Sequence, residues 1–319
     1  MKKLYIHIGP HKTGSTYIQK SLFENRTRLL EGGLDYPDLL VGPQWGHHKL
    51  VEAIKRREQD VVQQFVDSLS QKSLISSENF ENLHQNDINF LATFLSDFEV
   101  EVIFVKRSFS DLIISNWQES VKHGSEKTWS FFILEQVLRP FSSIILNQSA
   151  TIDKWRTVTE LIHIINYDLV MKDNEDLLVR LLQNIDVNPI EFPSNRASIN
   201  ASLNYIDVEI IRILNSIHRR NGFNPSADIR TAFLSVREEE KQLISKIKSV
   251  IKKDTIIFRP DESWCINFFE KSFANTQEYT KWSKIQKDVG YELPNQNSSY
   301  LIVISKDIEE LYSKVTEAL

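Results

Sequence analysis

Glycine and proline are scarce in this chain: each occurs 9 times in 319 residues. For glycine that is about 3% against a usual share of about 7%. Such a chain is neither collagenous, nor low-complexity, nor dominated by loops. Cysteine occurs once, as Cys265, which excludes an internal disulfide and any metal site built from several cysteines. A lone thiol fits a reducing compartment. No apolar run approaches the roughly 18–20 residues of a membrane span. The apolar stretch Leu4–Ile8 is too short for a signal peptide, so a cytoplasmic protein is expected, acting before export if its target is a surface polymer. An excess of positive charge is also missing. Net charge is −5 and the pI is about 6.0, so no global field attracts nucleic acid or an anionic membrane. A small anionic ligand needs a local basic pocket.

The few glycines are unevenly placed. Six fall in the first 46 residues: Gly9, Gly14, Gly32, Gly33, Gly42 and Gly46. Leu4–Ile8 reads as a buried strand that ends at Gly9-Pro10. Residues 15–30 read as a helix with Ile18, Leu22, Leu29 and Leu30 on one face and Gly32 at its end. A long irregular connection follows over residues 32–48, and long loops in compact domains tend to be functional. Helices are expected at 48–57, 60–71, 85–97, 109–123 and 174–184. Strands are expected at 74–77, 101–106 and 161–165. Strands alternating with helices imply a parallel sheet with helices on both faces. Beyond Pro193 the pattern is mainly helical: 206–220, a helix reaching 252 behind the capping-box pair Ser235/Glu238, 262–275 and 306–318, with a short strand at 301–304.

The most informative segment is Gly9-Pro10-His11-Lys12-Thr13-Gly14-Ser15-Thr16, between a strand and a helix. Free N–H groups at a helix start attract anions. Lys12 adds a full charge, and Ser15 and Thr16 add hydroxyls. A Walker A loop requires lysine directly after its second glycine. Here Ser15 follows Gly14, and the lysine comes two residues earlier.

This loop resembles that of the sulfotransferase family, most closely its bacterial, carbohydrate-type branch, whose Lys-x-Gly-x-Thr loop holds the 5′-phosphosulfate of PAPS (3′-phosphoadenosine 5′-phosphosulfate; product PAP). The family also uses an arginine at a strand end and a serine eight residues later for the 3′-phosphate. Arg107 after Val102–Lys106, with Ser115, matches that spacing. Ser115–Gly124 is similar to the family's Ser-x-Tyr-x-Gln-x-Val-Lys-x-Gly run, with Trp117 in place of tyrosine. Asn166-Tyr167-Asp168-Leu169 resembles its Tyr-Glu-Asp-Leu stretch, which makes Tyr167 the residue expected to stack on adenine. Asn200-Ala201-Ser202-Leu203 resembles an Asn-x-Ser-Leu run of bacterial members. The glycine-rich cofactor loop of cytosolic members has no counterpart here.

The resemblance implies a P-loop NTPase-like α/β fold: a parallel sheet flanked by helices, with a mainly helical C-terminal part. It implies one domain over 1–319, with a PAPS-binding core at 1–190 and a helical subdomain at 191–319. His11, Lys12, Thr13, Gly14, Ser15, Thr16, Arg107, Ser115 and Tyr167 are the expected cofactor residues, and Lys12 the expected group at the bridging oxygen. The expected acceptor is a hydroxyl, on a saccharide or glycoconjugate. No carboxylate cluster for Mg²⁺ is evident, so transfer without a metal is expected. For the general base, three positions stay open: Glu78 after the second strand, the pair His47/His48 at the end of the glycine-rich connection, and His11. Trp45, Trp117 and Trp129 can stack on sugar rings or fill the core. Two alternatives remain beside this reading, a P-loop kinase or NTPase and a catalytically inactive binding protein with the same fold.

Overall fold

The computed structural model describes residues 1–188, 203–258, 290–296 and 298–319. In chain order the elements are β1 (Lys2–His7), α1 (Ser15–Glu24), α2 (Arg26–Glu31), α3 (His48–Arg56), α4 (Gln59–Asp67), β2 (Lys72–Ser76), α5 (Gln85–Ala92), β3 (Phe98–Lys106), α6 (Phe109–Lys122), α7 (Trp129–Leu138), α8 (Gln148–Trp155), β4 (Ile162–Asn166), α9 (Tyr167–Lys172) and α10 (Leu177–Asn184). They continue with α11 (Tyr205–Arg220), α12 (Ala227–Val236), α13 (Lys241–Lys253), β5 (Thr255–Phe258), β6 (Tyr291–Pro294) and α14 (Ser298–Glu317). These residues form two compact units. The first holds residues 1–109 and 141–188; the second holds 110–140, 203–258, 290–296 and 298–319.

The first unit is the expected α/β layer structure. Its four strands are all parallel, in the order β2-β1-β3-β4. Successive side chains of a strand point to opposite faces, and each face has its own core. Leu4, Ile6, Ile8, Val102 and Phe104 pack with residues of α3, α4, α5 and α8. Tyr5, Leu74, Ile103, Val105 and Ile165 pack with residues of α1, α2 and α10. Burial on both faces explains why the strands read as apolar runs. The register pairs His7 with Ser76 and Ile103, and Lys106 with Asn166. The C-terminal ends of all four strands therefore form one edge. In open parallel sheets this is the edge that binds ligands.

The second unit is mainly helical. Trp117 and Val121 of α6 pack with Val208, Ile211 and Leu214 of α11, Phe233 of α12, Ile247 and Ile251 of α13, and Ile304, Ile308 and Leu311 of α14. A two-stranded antiparallel sheet, β5 with β6, belongs to this unit.

Several expectations change. The helix over 15–30 is two helices, broken at Asn25, whose side chain donates back to the Ser21 carbonyl at 2.8 Å. Asparagine favours such local bonds over continuing a helix. The Ser235/Glu238 capping box does not form: Ser235 lies inside α12, its hydroxyl donates to Ala232 O at 2.8 Å, and α13 starts only at Lys241. The strand at 301–304 is the early part of α14, because Ile304, Ile308, Leu311 and Val315 continue a helical period into the core. The helix at 262–275 and residues 200–202 of the Asn-x-Ser-Leu run lie outside the described residues, as does Cys265.

Candidate functional site

The turn between β1 and α1 departs from ordinary backbone geometry at three of its residues. Gly9 (φ +93°), Lys12 (φ +66°) and Gly14 (φ +81°) are left-handed. For the two glycines this is cheap; for lysine it is a strained conformation of the kind that clusters at functional sites. The glycines also allow close packing. A Cβ on Gly9 would lie 3.0 Å from the Glu78 backbone, and one on Gly14 would lie 2.7 Å from Leu177 Cδ2. Thr13 is buried, and its hydroxyl donates to Pro10 O at 2.6 Å. That hydroxyl holds the loop together. Gly14 caps α1 without a side-chain bond, and no acidic residue occupies the first turn, which carries Ser15 and Thr16. The helix start therefore keeps its positive end for an anion.

Arg107 follows β3 and reaches this loop. Its Nη1 donates to Lys12 O at 2.5 Å, and its guanidinium lies 4.9 Å from the Tyr167 ring centre. Tyr167 opens α9, where the Asn166 side chain accepts from Leu169 N. The Tyr167 ring also borders Gly14. Lys12, Gly14, Arg107 and Tyr167 thus come together from three strand ends. Ser115 lies half-buried on α6, in the second unit.

The residues expected around the base occupy a neighbouring part of the same edge. Glu78 opens a 3-10 turn, Glu78–Asn82, directly after β2, with Ser77 as its cap. It is 7% exposed. Gln19 Nε2 donates to Glu78 Oε2 at 2.6 Å. His48 Nε2 lies 3.9 Å from the same oxygen, too far for a hydrogen bond. Burial pushes the Glu78 carboxyl up. The Gln19 bond, its own backbone N–H and the nearby His48 and His11 outweigh that, and it ends below the usual range. His48 Nδ1 accepts from Ser77 Oγ at 2.8 Å and from Asn79 Nδ2 at 3.3 Å. The ring proton therefore sits on Nε2, which is buried with no partner.

His47 differs from its neighbour. It is fully buried, Ser76 N donates to its Nδ1 at 3.2 Å, and its Nε2 donates to Pro37 O at 2.9 Å. Burial lowers its pKa to about 4. Both ring nitrogens pin the connection to β2. His11 bonds Glu81 through both its main-chain N–H and Nδ1. Burial opposes a charge on His11, but the bond to Glu81 prevails and its pKa is raised. In a 3-10 turn, positions three apart eclipse, so Glu78 and Glu81 share the face turned to the loop. A cavity of about 290 Å³ lies beside Glu81, with Phe141, Ser143, Asn147, Thr151 and Lys154 in its walls.

Three features were not legible in the sequence. Gln19 is a buried polar residue on the apolar face of α1, which is the only signal it offers. His7 is buried at the end of β1, its Nδ1 2.7 Å from Ser76 Oγ and its Nε2 unpartnered; burial lowers its pKa to about 4. Gly46 lies against both Gln19 and His48, and a Cβ there would fall 2.8 Å from Gln19 Cδ and 2.9 Å from His48 Nε2. Of the tryptophans, Trp117 is core, Trp129 is partly buried with its indole N–H on Pro294 O, and Trp45 faces Lys20 Nζ at 5.4 Å.

No family model and no curated protein matches the chain. Among solved structures, a sulfotransferase domain from the curacin biosynthetic pathway is similar at 16% identity and a TM-score of 0.35, over 60% of this chain and 75% of that one. A likeness of that size carries neither fold nor function. No described helix is long and apolar enough to cross a membrane.

Proposed function

We propose that this chain is a PAPS-dependent sulfotransferase acting on a hydroxyl of a saccharide or glycoconjugate. The observation that carries the reading is the meeting of Arg107 with the Lys12 carbonyl and the Tyr167 ring beside the uncapped start of α1. Bound PAPS supplies an electrophilic sulfur and a phosphate leaving group on which negative charge grows. Lys12 and the first-turn N–H groups of Gly14, Ser15 and Thr16 oppose that charge, fixed in place before reaction. Thr13 braces the loop through Pro10. Arg107 is assigned to the 3′-phosphate, and Tyr167 to the adenine.

Glu78 is the base in this reading. The bonds around it keep it ionised at neutral pH, the state in which it accepts a proton from the acceptor hydroxyl. His48 presents an N–H on the same side, suited to orienting that hydroxyl's oxygen. His47 and His11 hold structure instead: both ring nitrogens of His47 are engaged, with Ser76 and Pro37, and His11 is tied to Glu81 through its main-chain N–H and its Nδ1. The cavity beside Glu81 is assigned to the body of the acceptor. In this reading the first unit, residues 1–109 and 141–188, is the donor-binding core, and a cytoplasmic setting is proposed for the protein.

The test is incubation with sulfur-labelled PAPS and a panel of neutral saccharides, glycolipids and simple alcohols. Label on an acceptor, lost in Lys12→Ala, supports the reading. Transfer that persists in Lys12→Ala, or none to any acceptor, overturns it.

A further inference from the structure

α1 turns Ser15, Ile18, Gln19 and Leu22 inward. Ile18 and Leu22 belong in an apolar layer; an amide does not, and burying one without full pairing is costly. The Gln19 side chain is fully buried. Among the described residues it makes one hydrogen bond, from Nε2 to Glu78 Oε2 at 2.6 Å. Its Oε1 has no partner. As a packing element, Gln19 is inferior to an unbranched apolar residue of equal length. The one thing the amide does is hold the Glu78 carboxylate. Gly46 fixes it in that pose, since its backbone lies so close that a Cβ would stand 2.8 Å from Gln19 Cδ.

We infer that Gln19 is a positioning residue for Glu78. The bond from Nε2 sets the carboxylate's orientation and holds it ionised. The inference takes its catalytic meaning from the reading of Glu78 as base; the effect on Glu78 itself stands apart from that reading. The ionisable groups facing Glu78 are His7 at the end of β1, Tyr36 in the connection before α3, His11 in the loop, His48 at the start of α3, and Glu81 on the same face of its own turn, bonded to His11. His7 is held neutral by burial, and burial likewise raises the Tyr36 hydroxyl.

The test is titration of Glu78 by NMR in protein carrying carboxyl-labelled glutamate, with the signal assigned from Glu78→Gln. Wild type is compared with Gln19→Met, which keeps length and removes the donor, and with Gln19→Glu, which keeps the amide's shape and puts a like charge beside the carboxylate. The Glu78 pKa should rise in Gln19→Met and rise further in Gln19→Glu. The acid limb of the turnover profile should move the same way, with turnover down about 10²-fold, the usual cost of a misplaced group. A Glu78 titration unchanged in both variants overturns the inference. A Glu78 titration that shifts in the variants, while the wild-type chain transfers no sulfuryl group, upholds the positioning and refutes the transferase reading instead.

Discussion

Arg107 donates from Nη1 to the Lys12 carbonyl at 2.5 Å, joining the end of β3 to the loop after β1. The same guanidinium lies over Tyr167 at the end of β4. One side chain thus ties together three strand ends. Removing it deletes a charged donor and loosens the loop's most strained residue. Arg107→Ala should weaken binding of adenosine 3′,5′-bisphosphate by about 1.5–3 kcal/mol, the worth of a charged hydrogen bond. Arg107→Lys keeps the charge and loses the fork, and should fall between. Calorimetry checks both; unchanged affinity in Arg107→Ala would remove Arg107 from the donor site.

The base is tested by comparing three variants. Glu78→Gln should lower turnover by about 10²–10⁴-fold, the usual share of a general base. His48→Ala should slow turnover less. His47→Ala should act first on the melting temperature, because it frees Ser76 N and Pro37 O inside the protein. Full activity in Glu78→Gln would exclude it as the base.

Gly46→Ala is the sharpest steric test. The new methyl would meet Gln19 and His48 at 2.8–2.9 Å, distances at which something must move. Turnover should fall sharply while donor binding holds, since the three atoms nearest the new methyl belong to Gln19 and His48. Activity assays and calorimetry on the same sample separate the two.

Part of this arrangement was legible in the sequence. The β1–loop–α1 unit is contiguous, so its glycines, Lys12 and helix start could be read in order. Arg107, Tyr167 and Glu78 each follow a strand directly, and a parallel sheet brings such positions to one edge. Gln19 could not be found that way: its partner Glu78 is 59 residues off, and helical period alone marks it only as buried. α7 and α8 were missed because neither shows an apolar stripe facing a core: α7 buries none of its residues, and most of those that α8 buries are polar, Gln148, Ser149 and Thr151. β5 and β6 were missed because each spans only four residues, with the partner strand distant in sequence. Ser235 carried a valid capping pattern, but α12 simply runs past it.

Acid should destabilise the fold over a defined window. His7 and His47 are buried and neutral, with pKa values of about 4 against 6.5 unperturbed. The unfolded chain takes up these protons first as pH falls. Their contribution is therefore complete above pH 6.5 and lost progressively down to about 4, at about 3 kcal/mol for each. His11, whose pKa is raised, works in the opposite direction. Melting temperature followed from pH 7 to 4 should fall, with a shallower slope in His47→Gln. Equal slopes would show that His47 does not drive the loss.

Calorimetric titration of the wild-type chain with adenosine 3′,5′-bisphosphate, alongside ATP·Mg²⁺, tests the central claim most directly. The donor-site account predicts saturable binding of the bisphosphate with or without Mg²⁺, and much weaker binding of ATP. Saturable binding of ATP·Mg²⁺ with none of the bisphosphate would contradict it.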